Sequence, residues 1–177
     1  WLRDTGPICV VDSMGARSLA DFRFNGWGGK YEMPGDEDIG ARLLREKGGS
    51  LIKPFDDPFV IAGQGTTGLE IAEEIYPDIV FVQASGGGLA AGVALALANA
   101  RVIAVEPEGH DDIARTLAAG SIQTNPPGIR SICDGLLTDR MGDITFEIAR
   151  KRFERVVVVS NEAARRAMKF AFFNLKI

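Results

Sequence analysis

Three places in this sequence gather residue types that can do chemistry. The first is Ser85-Gly86-Gly87-Gly88-Leu89, which follows the apolar run Ile79-Val80-Phe81-Val82-Gln83-Ala84. Glycine has no Cβ, so backbone N–H groups can approach a ligand closely. Where a strand hands over to a helix, those donors and the helix dipole together suit a phosphate. Three consecutive glycines exceed what a turn needs, although a tight strand-to-helix turn without a ligand is the competing account. The run is neither Gly-x-Gly-x-x-Gly nor a Walker loop, which requires Gly-Lys-Ser/Thr. The second place is Glu106-Pro107-Glu108-Gly109-His110-Asp111-Asp112, with four carboxylates after a strand end. Oxygen-rich loops of this kind suit Mg²⁺ or Ca²⁺; the alternative is a solvated loop in which Asp111 or Asp112 caps a helix. The third is Gly63-Gln64-Gly65-Thr66, either a ligand-approach loop or a turn with an N-cap. Asn125-Pro126-Pro127-Gly128 reads as a rigid connection.

The elements that must position these residues follow from periodicity. An apolar strand is predicted at 59–62, a turn at 63–66, and a helix at 67–76 with Leu69, Ile71, Ala72 and Ile75 inward. Strands follow at 79–84, 101–105 and 156–159. Between them come a helix from the glycine run to residue 99 and another at 111–119. Asn161 is expected to cap a last helix reaching residue 173. Continuous apolar strands between amphipathic helices indicate an α/β fold whose parallel sheet is covered on both faces. Upstream the texture differs. Strands at 8–11 and 18–24 form a plausible hairpin, and a short helix at 39–47 is capped by Asp36 or Asp38 and ended by Gly48.

Composition narrows the function classes. The 177 residues carry 20 basic and 24 acidic side chains, a net charge of −4, which argues against a nucleic-acid partner. No apolar run approaches the roughly 18 residues of a membrane span, and no secretory signal opens the chain. Two cysteines, Cys9 and Cys133, cannot build a disulfide framework, so a cytoplasmic setting is expected. His110 is the single histidine, which leaves no His-based zinc site. Both ends read as cuts through larger structures.

From residue 51 to 177 the chain resembles the threonine/serine dehydratase and serine racemase family of pyridoxal-phosphate enzymes, which have the tryptophan-synthase-β-like, fold-type II architecture. The resemblance is carried by Pro54-Phe55-Asp56-Asp57-Pro58, Ile61-Ala62-Gly63-Gln64-Gly65-Thr66, Gly68-Leu69-Glu70-Ile71, the Ser85–Leu89 run, Val105-Glu106-Pro107, Asp134-Gly135-Leu136 and Val158-Val159-Ser160. It implies pyridoxal phosphate as cofactor, with its phosphate on Ser85, Gly86, Gly87, Gly88 and Leu89. The family usually has glycine where Ser85 stands. It also implies a Mg²⁺ or Ca²⁺ site formed by Glu106, the carbonyl of His110 and Asp112. A small amino-acid substrate, ammonia-lyase or racemase activity and a homo-oligomer are implied with it. Pyridoxal chemistry needs a lysine that bonds to the cofactor and then moves protons. In the family that lysine lies upstream of the matching part. None of Lys30, Lys47, Lys53, Lys151, Lys169 or Lys176 has its context, so the chain as given is expected to lack it and to be inactive.

Residues 1–48 resemble agmatine deiminase, an enzyme of the pentein fold. The motifs are Trp1-Leu2-Arg3-Asp4-Thr5-Gly6-Pro7, Asp21-Phe22-Arg23-Phe24-Asn25-Gly26-Trp27-Gly28-Gly29-Lys30-Tyr31 and Ile39-Gly40-Ala41-Arg42-Leu43. Trp1 and Asp4 correspond to substrate-contacting residues, the aspartate pairing with a guanidinium. Cys9 reads as a core residue. The two resemblances together imply a composite, with a deiminase-like piece over 1–49 and a dehydratase-like piece over 50–177. Three functional classes stand open at this point: a fragment of a pyridoxal-phosphate lyase or racemase, a guanidine-binding fragment, and a non-catalytic chimeric α/β protein.

Overall fold

The computed structural model describes residues 8–11, 14, 17–20, 45–46 and 51–176. Trp1, Asp4 and most of the aromatic, glycine-rich stretch lie outside them. A small sheet comes first. Strands β1 (Ile8–Val11) and β2 (Arg17–Ala20) pair antiparallel, with Ile8 opposite Ala20 and Val11 opposite Arg17. The expected hairpin is therefore present. β3 (Leu51–Ile52) runs parallel to β2. Of the helix expected at 39–47, only positions 45–46 are described, and they are helical.

The strand and turn expected at 59–66 do not form. Pro58–Glu74 is one 17-residue helix, α1. Asp57 is its N-cap: the extended residue accepts hydrogen bonds from the N–H groups of Phe59 at 2.8 Å and Val60 at 3.2 Å. Pro58 sits at the first helical position, where its missing N–H costs nothing. The glycines that looked like a loop face a neighbouring helix. A Cβ on Gly65 would meet the Gly92 carbonyl oxygen at 3.0 Å, and one on Gly68 would meet Ala96 Cβ at 2.8 Å. Leu69 and Ile75, expected inward, are exposed, since the glycine-bearing face is the one that packs.

The second sheet is wholly parallel, in the order β4 (Ile79–Gln83), β5 (Arg101–Pro107), β6 (Phe153–Val159). Helix α2 (Gly88–Ala96) connects β4 to β5. α3 (Asp112–Ala119), a 3₁₀ turn at Asp134–Leu136 and α4 (Asp143–Arg152) lie between β5 and β6. Helix α5 (Asn161–Phe170) follows and relaxes into a π turn, Ala171–Leu175. α4 has no counterpart in the elements expected from the sequence, although Asp143 in its first turn and Arg150, Lys151 and Arg152 in its last are helix-end signals. The cap of α5 is Ser160, whose hydroxyl accepts from Ala163 N–H at 3.2 Å. Asn161 instead accepts from Ser131 Oγ at 2.7 Å and Ile132 N–H at 3.0 Å.

Both crossovers step the same way across the sheet. Right-handed connections therefore lay their helices on one face. That face holds the core: Val82, Val102 and Ala104 from the strands meet Val93, Leu97, Ile113, Met141 and Ala149 from the connections. Burying each large aliphatic side chain there is worth about 1.5–3 kcal/mol. The opposite face is bare toward the sheet edges. Ile79 and Val158 are exposed, and Phe81 is 62% exposed, so the expectation of a sheet covered on both faces is corrected. No helix among the described residues is long and apolar enough to cross a membrane.

Candidate functional site

The glycine loop begins where the β4–β5 pairing stops. Ala84 N–H donates to the Val105 carbonyl at 2.9 Å, the last link before the chain turns. Gly86, Gly87 and Gly88 are buried. Gly87 is the N-cap of α2 with φ +92°, a conformation that L side chains rarely adopt. No side chain caps this helix. The N–H groups of Gly86, Gly87 and Gly88 donate to no acceptor among the described residues, and this is the free donor set of a helix N-terminus.

The loop is held from outside by residues far away in sequence. The Phe55 ring lies against Gly86, leaving no space for a Cβ, and a Cβ on Gly88 would sit 2.9 Å from Phe55 Cβ. One on Gly87 would sit 2.9 Å from Thr145 Cβ. The Gly86 carbonyl accepts from Thr145 Oγ1 at 2.8 Å and from Gly142 N–H at 3.2 Å. Ser85 Oγ accepts from Thr138 N–H at 3.2 Å and shares a 2.7 Å hydrogen bond with Thr138 Oγ1. The Gly86 carbonyl is thus engaged by protein while the glycine N–H groups are left free. A cradle of this kind, too tight for any Cβ and lined with unclaimed donors, fits a phosphate.

Asp56 braces the same region, accepting from Ile144 N–H at 2.7 Å and from Lys53 Nζ at 3.1 Å. Burial pushes its carboxyl upward, but the Ile144 N–H and the Lys53 ammonium outweigh this and hold it below its ordinary value.

Behind the loop lie two buried carboxylates. Glu106 is 0% exposed and Asp112 1%. Glu106 projects from β5 and accepts from Ile113 N–H and Ala114 N–H, both at 3.0 Å. It therefore caps α3 from outside the helix, and the expected capping by Asp111 or Asp112 side chains does not occur. Asp112 accepts from Asn125 Nδ2 at 2.7 Å and from Met141 N–H at 2.6 Å. Burial pushes Glu106 up to about 8, against the two backbone donors. Burial likewise pushes Asp112 up to about 6, against Asn125 and Met141. His110 N–H donates to the Pro107 carbonyl at 3.0 Å, its Nε2 lies 3.1 Å from the Ile129 carbonyl oxygen, and its Nδ1 is buried without a partner. Among the described residues, no three His, Cys, Asp or Glu side chains converge so as to hold a metal ion.

The Ser85–Leu89 run and the Glu106–Asp112 segment are therefore both built as local units, and hydrogen bonds through residues 125–145 join them. Gly63–Thr66 is not a ligand loop; Thr66 Oγ1 merely donates back to the Gly63 carbonyl at 2.8 Å inside α1. Sequence reading gave no role to Thr138 or Thr145 and treated Asn125 as part of a spacer. The partners that tie them to the two units, Asp112, Ser85 and Gly86, lie 13, 53 and 59 positions away, beyond any local periodicity.

The sequence model of the family described as "pyridoxal-phosphate dependent enzyme" matches residues 12–177. A serine racemase from Arabidopsis thaliana is 37% identical over 97% of this chain and 51% of its own length. An L-threo-3-hydroxyaspartate ammonia-lyase from Saccharomyces cerevisiae is 38% identical over 80% of this chain and 44% of its own length. Among solved structures, maize serine racemase aligns with TM-score 0.75 and 38% identity, covering 83% of this chain and 46% of that one. The chain spans about half the length of the curated relatives it matches. The family match begins at residue 12 and so runs through most of the stretch whose motifs resemble a deiminase.

Proposed function

Since this chain belongs to the family of pyridoxal-phosphate-dependent enzymes, we propose that it supplies the phosphate-binding part of an ammonia-lyase or racemase acting on a small hydroxy amino acid such as serine or threonine. The observation that carries this is the glycine loop: three buried glycines, one at φ +92°, with unclaimed N–H groups at the start of α2. Gly86, Gly87, Gly88 and Leu89 would hold the phosphate through backbone N–H groups, and Ser85 would add its hydroxyl. When bound, the cofactor supplies an electron sink that stabilises negative charge at the substrate's α-carbon. Phe55 and Thr145 keep the loop in shape against the ligand's charge. The substrate and the oligomeric state belong to the whole enzyme.

The covalent lysine is not assigned to this chain. Lys53 is engaged with Asp56, and Lys151, Lys169 and Lys176 are exposed; Lys30 and Lys47 lie outside the described residues. We therefore assign this chain phosphate binding rather than turnover. A divalent cation, Mg²⁺ or Ca²⁺, on Glu106, the His110 carbonyl and Asp112 is part of the same proposal. Its support is the burial of two carboxylates that both lie above their ordinary range and that a cation would return to the ionised form. The division at residues 49 and 50, with a guanidine-binding piece using Trp1 and Asp4, rests on the sequence motifs of residues 1–48 alone.

The test is calorimetric titration of the chain with inorganic phosphate and with pyridoxal phosphate. Both should bind weakly to the wild type and not to Gly87→Val. Equal binding by the two proteins would remove the loop from consideration.

A further inference from the structure

We propose that Asn125 is a positioning residue for the anion site, acting on the glycine loop from a distance through Thr138 and Ser85. This rests on the phosphate assignment of that loop. Asn125 is only 7% exposed, and its side-chain amide and backbone N–H are engaged. The side-chain amide donates to Asp112 Oδ1 at 2.7 Å and to the Thr138 carbonyl at 3.0 Å. Its Oδ1 accepts from Arg115 Nη2, and its backbone N–H donates to the Asp139 carbonyl at 2.7 Å. A buried amide with every donor and acceptor used has one orientation open to it. Pro126 and Pro127 add to this: they fix two successive φ angles and bring no N–H of their own to satisfy, and the first of them restricts the Asn125 backbone to extended conformations. The Asn-Pro-Pro-Gly segment is more than a spacer because its first side chain is the hub.

From that hub, contact passes to the loop in two steps. Thr138, held by its carbonyl on Asn125, donates its N–H to Ser85 Oγ and shares a second hydrogen bond with it through Oγ1. When Thr138 donates through both groups, the Ser85 hydroxyl keeps its own hydrogen for an anion. Asp112 supplies a parallel link: its other oxygen takes Met141 N–H at 2.6 Å, and the next residue, Gly142, donates to the Gly86 carbonyl. The first two residues of the loop are therefore both set by groups that meet at Asp112 and Asn125. Loss of the Asn125 amide frees Thr138, and Thr138 then no longer fixes the Ser85 hydroxyl.

The experiment is a titration of inorganic phosphate into the isotopically labelled 177-residue chain, following the amide resonances of Gly86, Gly87 and Gly88. Ser85→Ala and Asn125→Ala should each raise Kd by about tenfold, the scale of losing one hydrogen bond to a charged group. The double variant should be no weaker than either single one, since Asn125 acts on the anion through the Ser85 hydroxyl. Ser85→Thr, which keeps the hydroxyl, should restore binding. Leu117→Ala, which truncates a partly buried side chain that packs from α3 against the core and so lowers the melting temperature, should leave Kd unchanged. Wild-type affinity in Asn125→Ala, or single effects that multiply to about a hundredfold in the double variant, overturns the proposal. Should Asn125→Ala not fold, Thr138→Val removes only the hydroxyl contact to Ser85, and a wild-type Kd there overturns it equally. If phosphate shifts no loop amide in the wild type, the phosphate assignment itself falls and takes the coupling with it. If binding is lost in Gly87→Val but intact in Ser85→Ala and Asn125→Ala, only the coupling falls.

Discussion

The Phe55 ring closes over Gly86 with no room for even one additional carbon, so a residue just before α1 shapes a loop that begins 30 positions later. The geometry of the loop is thus a tertiary property, set jointly by β4, Phe55 and Thr145.

The first prediction concerns that closure. Gly86→Ala should displace Phe55 and abolish detectable phosphate binding, while Phe55→Ala should spare part of it by opening the cradle without blocking it. Gly87→Val, at φ +92° and 2.9 Å from Thr145, should also cost about 1–3 kcal/mol of stability for the forced left-handed conformation. Calorimetry and chemical denaturation measure the two effects. Undiminished binding in Gly86→Ala would show that the loop adjusts freely.

The second prediction separates the glycines of the α1–α2 contact. A Cβ on Gly92 would lie 2.5 Å from the Ile61 carbonyl oxygen and 2.6 Å from Gly65 N, both backbone atoms. Gly92→Ala should therefore cost about 1–3 kcal/mol or more, as overpacking does. Gly63, on the α1 side with nothing within 4 Å of its would-be Cβ, should behave oppositely. Gly63→Ala should be neutral or stabilise by about 0.5–1 kcal/mol. If Gly63→Ala destabilised the chain as much as Gly92→Ala, residues 63–66 would not be helical.

The strand-to-helix glycine turn was legible from residue types, and much of the architecture was not. The Ser85–Leu89 run announced itself because an apolar strand led straight into glycine, and β5 and the start of α3 were readable for similar reasons. The α1 helix was misread because its glycines signal a turn to any local rule, whereas here they permit two backbones to touch. The capping role of Glu106 was invisible because the helix it caps starts six residues later, on the far side of a loop. Ser160 rather than Asn161 caps α5, a one-residue difference decided by Asn161 finding Ser131 and Ile132 instead. The bare sheet face could not be read from alternation, because continuous apolar strands look the same whether or not the second face is covered.

The third prediction is a pH dependence. Glu106 is raised to about 8 from an ordinary 4.5, and Asp112 to about 6 from 3.8. The folded state thus keeps protons that the unfolded chain has already released. The stability this provides is complete below about pH 4 and is lost as the pH rises through about 6 and then about 8. The melting temperature should fall between pH 5 and pH 8.5, and Glu106→Gln should flatten the upper part of that fall. A flat profile in the wild type would contradict the burial of these carboxyls as charged-state liabilities.

The fourth prediction follows for the cation. Millimolar Mg²⁺ or Ca²⁺ favours the ionised carboxylates, so it should raise the melting temperature more at pH 8.5 than at pH 5. Glu106→Gln should remove most of the rise. If neither ion changes the melting temperature at either pH, Glu106 is a helix cap and nothing more.

The fifth concerns the lysines. After incubation with one equivalent of pyridoxal phosphate and reduction with borohydride, mass spectrometry should find no single lysine modified in stoichiometric yield. Quantitative labelling of Lys53, despite its engagement with Asp56, would assign this chain the covalent residue after all.

Strand β4 carries a further consequence. It lies at the margin of the three-stranded sheet, with Phe81 and Ile79 turned to water and one row of main-chain donors and acceptors unengaged by any described residue. An apolar border of that kind is a template for accretion by identical chains. This polypeptide on its own should therefore self-associate as its concentration rises, and Phe81→Lys should raise the concentration at which light scattering begins without altering the glycine loop at the strand's end.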